Sequence, residues 1–189
     1  KKNKIISINN PDPNLKSIDF KGYTVLPGLV DSHFHLSNFG KRLEMINLKG
    51  VQSIDTIYEL VRDKVKEVGE NVFIHGFGWD QTRWHNQEFP SKDILNQFQN
   101  NPVILTRIDG HSLWTNDAAI NISSYTNNLT SPKGGEIING CIFIDNAMDP
   151  IRNIIPQNSK NDVTRWISRA CTQAMEYGIT NVHDAWQDP

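Results

Sequence analysis

Apolar runs that end in chemically capable residues constrain this chain more than any other feature. Leu29-Val30 leads into "DSHFH", Val72-Phe73-Ile74 into "HGFGWDQ", Val103-Ile104-Leu105 into "TRIDGH", and the run from Ile179 to Val182 into "HDAW". Runs this short, bounded by Gly, Pro and polar residues, read as strands. Stretches with helical spacing separate them. Ile54, Ile57, Leu60, Val61, Val65 and Val68 recur every three or four residues, with Ser53 or Asp55 placed to cap the start and Gly69 to end it. "SKDILNQFQN", with Ser91 as N-cap after Pro90, reads as a second helix, and "DVTRWISRACTQAMEYG", closed by Gly178, as a third. "KIISINN" and "SIDFKGYTVLPGLVDSHFH" read as further β segments, the latter bent or broken at Pro27-Gly28.

Alternation of strand and helix argues for an α/β fold with parallel strands. Residues 112–160 break the rhythm with Pro132, Gly134, Gly135, Gly140 and Pro150, and are expected to form a loop-rich insertion with short β pieces, "GEIING" and "CIFID". In a β/α barrel the active site forms at the C-terminal ends of the strands. His, Asp and Trp residues gathered at strand ends are therefore the pattern of a barrel enzyme.

Bulk properties narrow the class. A net charge of −2 gives no general attraction to nucleic acid or to an anionic membrane surface, and no apolar window is long enough to span a bilayer. Cys141 and Cys171, the two cysteines, are expected as small buried hydrophobes in a reducing, cytoplasmic setting. The sequence opens on Lys1 with no apolar stretch of the signal-peptide kind behind it, and reads as part of a longer chain. No phosphate-binding glycine pattern occurs, and Gly134-Gly135 reads as a turn.

His33 and His35 carry the sharpest chemical signal. Positions i and i+2 of a strand project to one side, so both imidazoles can converge on a point, and neutral imidazole is a good ligand for zinc and similar ions. Asp31 either orients one of those imidazoles or is simply a polar residue at a strand end. Trp79 is expected to wall a substrate pocket, with Asp80 and Gln81 supplying hydrogen bonds; the competing reading is a loop pinned by buried tryptophans, Trp84 among them. Arg107, Asp109 and His111 would alternate to one side of an extended strand. There they contact substrate or a metal-held water, or form an ion-pair network bracing the mouth of the barrel. His183 is a candidate third ligand or a pocket residue. Asp145 is a candidate ligand, with helix capping the stronger expectation. His75 and His85 are expected to be structural or exposed.

"VLPGLVDSHFHL" resembles the first barrel strand of the amidohydrolase superfamily, with its apolar-PG-apolar-D-x-H-x-H signature. "GFGWDQTRWHNQEFPSKDILNQF", "NPVILTRIDGHSLWTNDAAI", "SPKGGEIING" and "YGITNVHDA" resemble the amidohydrolase-3 branch in order and spacing, so the likeness runs from about Asp19 to Ala185. The resemblance implies a (β/α)8 TIM-type barrel, of which this chain supplies about the first half, ending after about the fourth strand. It also implies a short piece of a β-sandwich domain, giving residues 1–26 to the sandwich and 27–189 to the barrel. Further implied are a divalent metal, with zinc expected, held first by His33 and His35, and a water it activates to hydrolyse an amide-type or other non-peptide C–N bond of a small molecule. Trp79, Asp80, Asp109, His111 and His183 fall on the substrate side. The bridging ligand, further histidines and catalytic acid/base would come from downstream strands. No nucleic acid or membrane partner is implied, and a homo-oligomer is compatible. Two rival readings are a catalytically incomplete fragment that folds only with the rest of the chain or a partner, and a small metal-binding sandwich, which the helices disfavour.

Overall fold

The computed structural model describes residues 4–5, 7–9 and 12–185. Its elements run β1 (Leu29–Phe34), α1 (Leu36–Arg42), β2 (Ile46–Asn47), α2 (Ile54–Val68), β3 (Ile74–Trp79), β4 (Val103–Arg107), β5 (Ser112–Thr115), α3 (Asp117–Asn121), β6 (Gly135–Ile138), β7 (Ile142–Asp145), α4 (Asp149–Arg152), α5 (Lys160–Glu176) and β8 (Ile179–Asp184). The two long helices fall where the apolar spacing places them. Ser53 caps α2 by accepting from Thr56 N–H, and Ser159 caps α5 in a reciprocal box with Asp162.

Two sheets form. β1 pairs in parallel with β8, Leu29 opposite Ile179 and Phe34 opposite Asp184, with register irregularities between. The other sheet has the order β2-β3-β4-β5-β7-β6, parallel from β2 to β4 and antiparallel from β4 onward. The expected procession of neighbouring parallel strands therefore stops at β4. A turn at residues 108–110, with Gly110 at φ +79° and its N–H bonded to Arg107 C=O, reverses the chain straight into β5. β1 has no partner in the larger sheet, and its neighbour β8 arrives only after that whole sheet has been built.

The six-stranded sheet is buried on both faces. Val103 and Leu105 join Trp114, Ile142, Ile57, Val61 and Leu95 on one side, beneath α2. Ile104, Leu113 and Phe143 join Ile120, Met148 and Ile151 on the other, beneath α3 and α4. This is the period-2 alternation of a strand covered from above and below. Buried Asn116 ties the loops to it, accepting from Val103 and Ala119 N–H and donating to the Phe98 and Asn101 carbonyls.

The β1–β8 pair is held by its helices. A Cβ on Gly40 of α1 would lie 1.9 Å from the Trp166 carbonyl oxygen of α5, so only glycine permits this crossing. Just past α1, Glu44 accepts from Arg165 at 2.8 and 3.0 Å, from Trp166 Nε1 at 2.8 Å and from Arg169 at 3.2 Å. Those donors, Arg165 first, hold its carboxyl down at about 2. Gly28 plays a similar part at the foot of β1, where a Cβ would overlap the Thr180 side chain. The Pro-Gly break thus marks a close approach between strands.

Other expectations fail locally. Among the described residues no strand precedes Leu29; parts of "KIISINN" lie outside them, and Ile18, Phe20, Tyr23, Val25 and Leu26 are exposed with no strand beside them. Residues 91–100 give only a 3-10 turn at Leu95–Gln97, because Pro102 follows closely and Asn96 turns its side chain to Asp117. Cys141 is buried as expected, its thiol pushed up to about 12 by desolvation, whereas Cys171 is exposed.

His75 sits between Phe73 and the α1 side of the sheet, and burial, with Lys41 nearby, pushes its pKa down to about 4. The unfolded chain then binds more protons than the folded one between about pH 4 and 6.5, so stability is full above that window and falls through it on acidification. The melting temperature of the full-length protein should drop more steeply from neutral pH to about 4.5 than that of His75→Phe, reflecting about 1–3 kcal/mol. Gly40→Ala should cost about 3 kcal/mol or more by overpacking against α5, read as the midpoint of denaturant unfolding.

Candidate metal centre

His33 stands near the end of β1, and His35 is the N-cap residue of α1 at φ −118°, ψ 81°, with no side-chain cap. The two rings have centroids 5.1 Å apart at 80°. Imidazoles bound through nitrogen to one tetrahedral zinc at about 2.0–2.1 Å also stand with ring centres about 5 Å apart. Both histidines are exposed and line an open cleft of about 730 Å³ with Phe34, Asn38, Phe39, Lys41, Arg42 and Met45. The pair therefore fits two corners of a cation site. Among the described residues no group of three or more His, Cys, Asp or Glu is placed to hold a metal, so His183, exposed on β8, does not complete a set here.

The neighbouring acids work on the backbone. Asp31 accepts from His33 N–H at 3.0 Å, which leaves the imidazole to the cleft; of its two readings, the polar strand-end residue is the one this bond fits. Asp184, beside His183, accepts from Leu36 N–H at 3.3 Å and so covers the uncapped first turn of α1 from the adjacent strand. The cleft wall carries Lys41 and Arg42 and no carboxylate. Arg42 stacks over Phe77 of β3 at 5.4 Å, and Lys49 approaches the same ring at 5.8 Å.

A second polar cluster lies where β3, β4, β5 and β7 meet. Arg107 Nε donates to buried Gln81 at 2.9 Å, and its other arm bonds Asp109. Asp109 accepts from His111 N–H at 2.9 Å, and His111 Nδ1 meets Asp145 Oδ1 at 2.9 Å. The sequence marks Arg107, Asp109 and His111 as a cluster, but the 108–110 turn gathers them, since β4 stops at Arg107. Asp145 caps no helix. It sits at φ 48°, ψ −120°, which residues with a side chain rarely adopt, and gives its carboxylate to His111. Such backbone strain costs about 1–3 kcal/mol, whereas an exposed carboxylate–imidazole contact returns about 0–1.

Trp79 and Asp80, expected on the substrate side, both have structural partners. Trp79 is fully buried, its Nε1 donating to Leu105 C=O at 2.9 Å, and its ring packs with Trp84, Trp114 and Phe89. It is a core residue, sealed from solvent. Asp80 caps the turn at Gln81–Arg83, accepting from Thr82 N–H and Oγ1; those bonds, the hydroxyl first, lower its pKa. His85 is exposed, as expected. Sequence reasoning overlooked Glu44, Asn38 and Arg42. Recurrence from His35 at helical spacing was the available signal for the last two, hidden because "LSNFGKR" carries a central glycine and few apolar residues.

A family model described as Amidohydrolase family matches residues 16–189. The chain is 27% identical over 178 residues to the Bacillus subtilis (strain 168) protein named "Putative amidohydrolase YtcJ", covering 90% of this chain and 34% of that one. It is 31% identical to the Arabidopsis thaliana protein LONG AFTER FAR-RED 3, over 88% of this chain and 30% of that one. To the N-substituted formamide deformylase of Arthrobacter pascens it is 24% identical, over 66% of this chain and 24% of that one. A crystal structure of a metal-dependent hydrolase from Pyrococcus furiosus superposes with a TM-score of 0.60 at 29% identity, over 82% of this chain and 31% of that one. The chain thus spans about a third or less of the length of the relatives it matches.

Asp145→Gly should melt at or above the wild-type temperature in the full-length protein, because glycine accepts the backbone angles that aspartate strains to hold. A fall of several degrees would show that the carboxylate contributes more than its exposure allows.

Proposed function

The chain belongs to the amidohydrolase family, and on that premise we propose that the protein it forms is a metal-dependent hydrolase acting on an amide-type or other non-peptide C–N bond of a small molecule. One observation carries the reading: His33 and His35 face one open cleft with the ring separation that a shared cation requires. The match to a named formamide deformylase and the superposition on a metal-dependent hydrolase support the same chemistry.

His33 and His35 would hold the ion, with zinc as the proposed occupant. When bound, such an ion polarises the scissile carbonyl and lowers the pKa of a water to ~7. The chain's own residues prepare the place. Asp31 and Asp184 lock the backbone on either side of the pair, so each imidazole enters the cleft from a braced peptide. Lys41 and Arg42 give the wall a positive potential, which favours substrates that carry or develop negative charge. His183 on the neighbouring strand, together with Asp109 and His111 in the turn between β4 and β5, are the proposed substrate contacts.

β1 and β8 are proposed as adjacent strands of the (β/α)8 barrel, with the remaining ligands and the proton-carrying carboxylate on strands downstream. The exposed apolar residues from Ile18 to Leu26 suit a share in the β-sandwich, completed by the far end of the protein. These residues by themselves would then be catalytically incomplete. No helix among the described residues is long and apolar enough to cross a membrane. A cytoplasmic setting is proposed, which the two free cysteines suit.

The test is the His33→Ala/His35→Ala double variant of the full-length protein. Bound metal, measured by atomic emission, should fall at least tenfold, and hydrolysis of N-substituted formamides about a thousandfold or more. Undiminished metal content would remove the proposal.

A further inference from the structure

Arg42 lines the cleft that holds His33 and His35, is exposed, and has no carboxylate partner among the described residues. It ends α1 about two helical turns after His35, so His35, Asn38 and Arg42 recur on one face of that helix. The nearest acid after it in the sequence, Glu44, is turned to α5 and bonded there to Arg165, Trp166 and Arg169. The other cation of the wall, Lys41, sends its ammonium to Asn158 at 3.3 Å and over the Trp166 ring at 5.2 Å. Arg42 has the Phe77 ring as its support, 5.4 Å from the guanidinium carbon. A ring face steadies the charge but accepts little from the N–H fork, which is left open toward the cleft.

We propose that Arg42 is a specificity-determining residue that binds a carboxylate of the substrate, so that the cleft takes N-acyl amino acids and similar amides with one negative charge beside the scissile bond. A guanidinium is always charged, and its fork matches a carboxylate with two parallel hydrogen bonds. Helical side chains lean toward the N-terminus of their helix, which carries this group toward the histidine end of α1. No carboxylate lines the cleft, so a monoanion is matched there and a cationic amine repelled. Compensation of the α1 dipole also favours a cation in the last turn, but a lysine would serve that purpose equally. The inference rests on the hydrolase reading for the reaction, while the affinity it forecasts can be read without turnover.

The experiment uses the full-length protein and two sulfonamides that resist hydrolysis, N-(methylsulfonyl)phenylalanine and the neutral N-(methylsulfonyl)-2-phenylethylamine. Calorimetric titration should show the wild type binding the carboxylate compound about tenfold more tightly than the neutral one. In Arg42→Gln that ratio should fall to within about twofold of unity, and Arg42→Lys, a point charge without the fork, should recover only part of it. Metal content, measured by atomic emission, should be the same in all three proteins. A wild-type ratio near unity, a ratio retained in Arg42→Gln, equal losses for both compounds, full recovery by lysine, or metal lost together with the ratio would each overturn the proposal. Absent hydrolysis of N-formylphenylalanine with the affinity pattern intact would count against the hydrolase reading alone.

Discussion

The crossing of α1 and α5 sets the position of everything in the candidate site. Gly40 lies against the peptide of Trp166 with no room for a methyl group, and Glu44 closes the contact with four hydrogen bonds from α5. Most of the chain intervenes between the two helices, yet this contact holds β1 beside β8. It thereby sets His33 beside His183 and Asp184 on two adjoining strands, with His35 directly after the first of them. A helix pair locked at this separation makes the start of α1 a fixed point, and His35 is that start.

Much of this was legible in the sequence, and its limits are physical. The two long helices follow from apolar spacing and caps. The strands at 74–79, 103–107 and 179–184 follow from short apolar runs. Their partners do not follow, because a strand's neighbours are decided by turns such as that at Gly110 and by which edges remain open. The N-terminal β segments have the right residues for strands and, among the described residues, nothing to pair with. The helix α1 was hidden because its stability comes from packing on α5, with little local propensity to announce it.

The site shows the same division. The two rings do share one cleft, but not as alternate positions of one strand: β1 ends at Phe34, and His35 enters from the N-cap of α1. Asp31 looked like a partner for an imidazole, but a short acid two residues earlier reaches the backbone N–H more easily. Trp79 was placed in a pocket from its position at a strand end. The larger sheet, covered on both faces, draws that indole into the core instead. Arg107, Asp109 and His111 do converge, through a turn that no periodicity predicts.

The pairing of β1 with β8 also dictates an order of events during synthesis. β1 leaves the ribosome early, with Leu29 and Val30 uncovered, and its partner strand emerges only after the six-stranded sheet and α5 have been made. The intervening sheet has its own two-sided core and can fold while β1 waits. Contacts of such long sequence separation form late and slowly. Assembly of the histidine cleft therefore waits on β8, and the strand that leads to it stays without its partner until then.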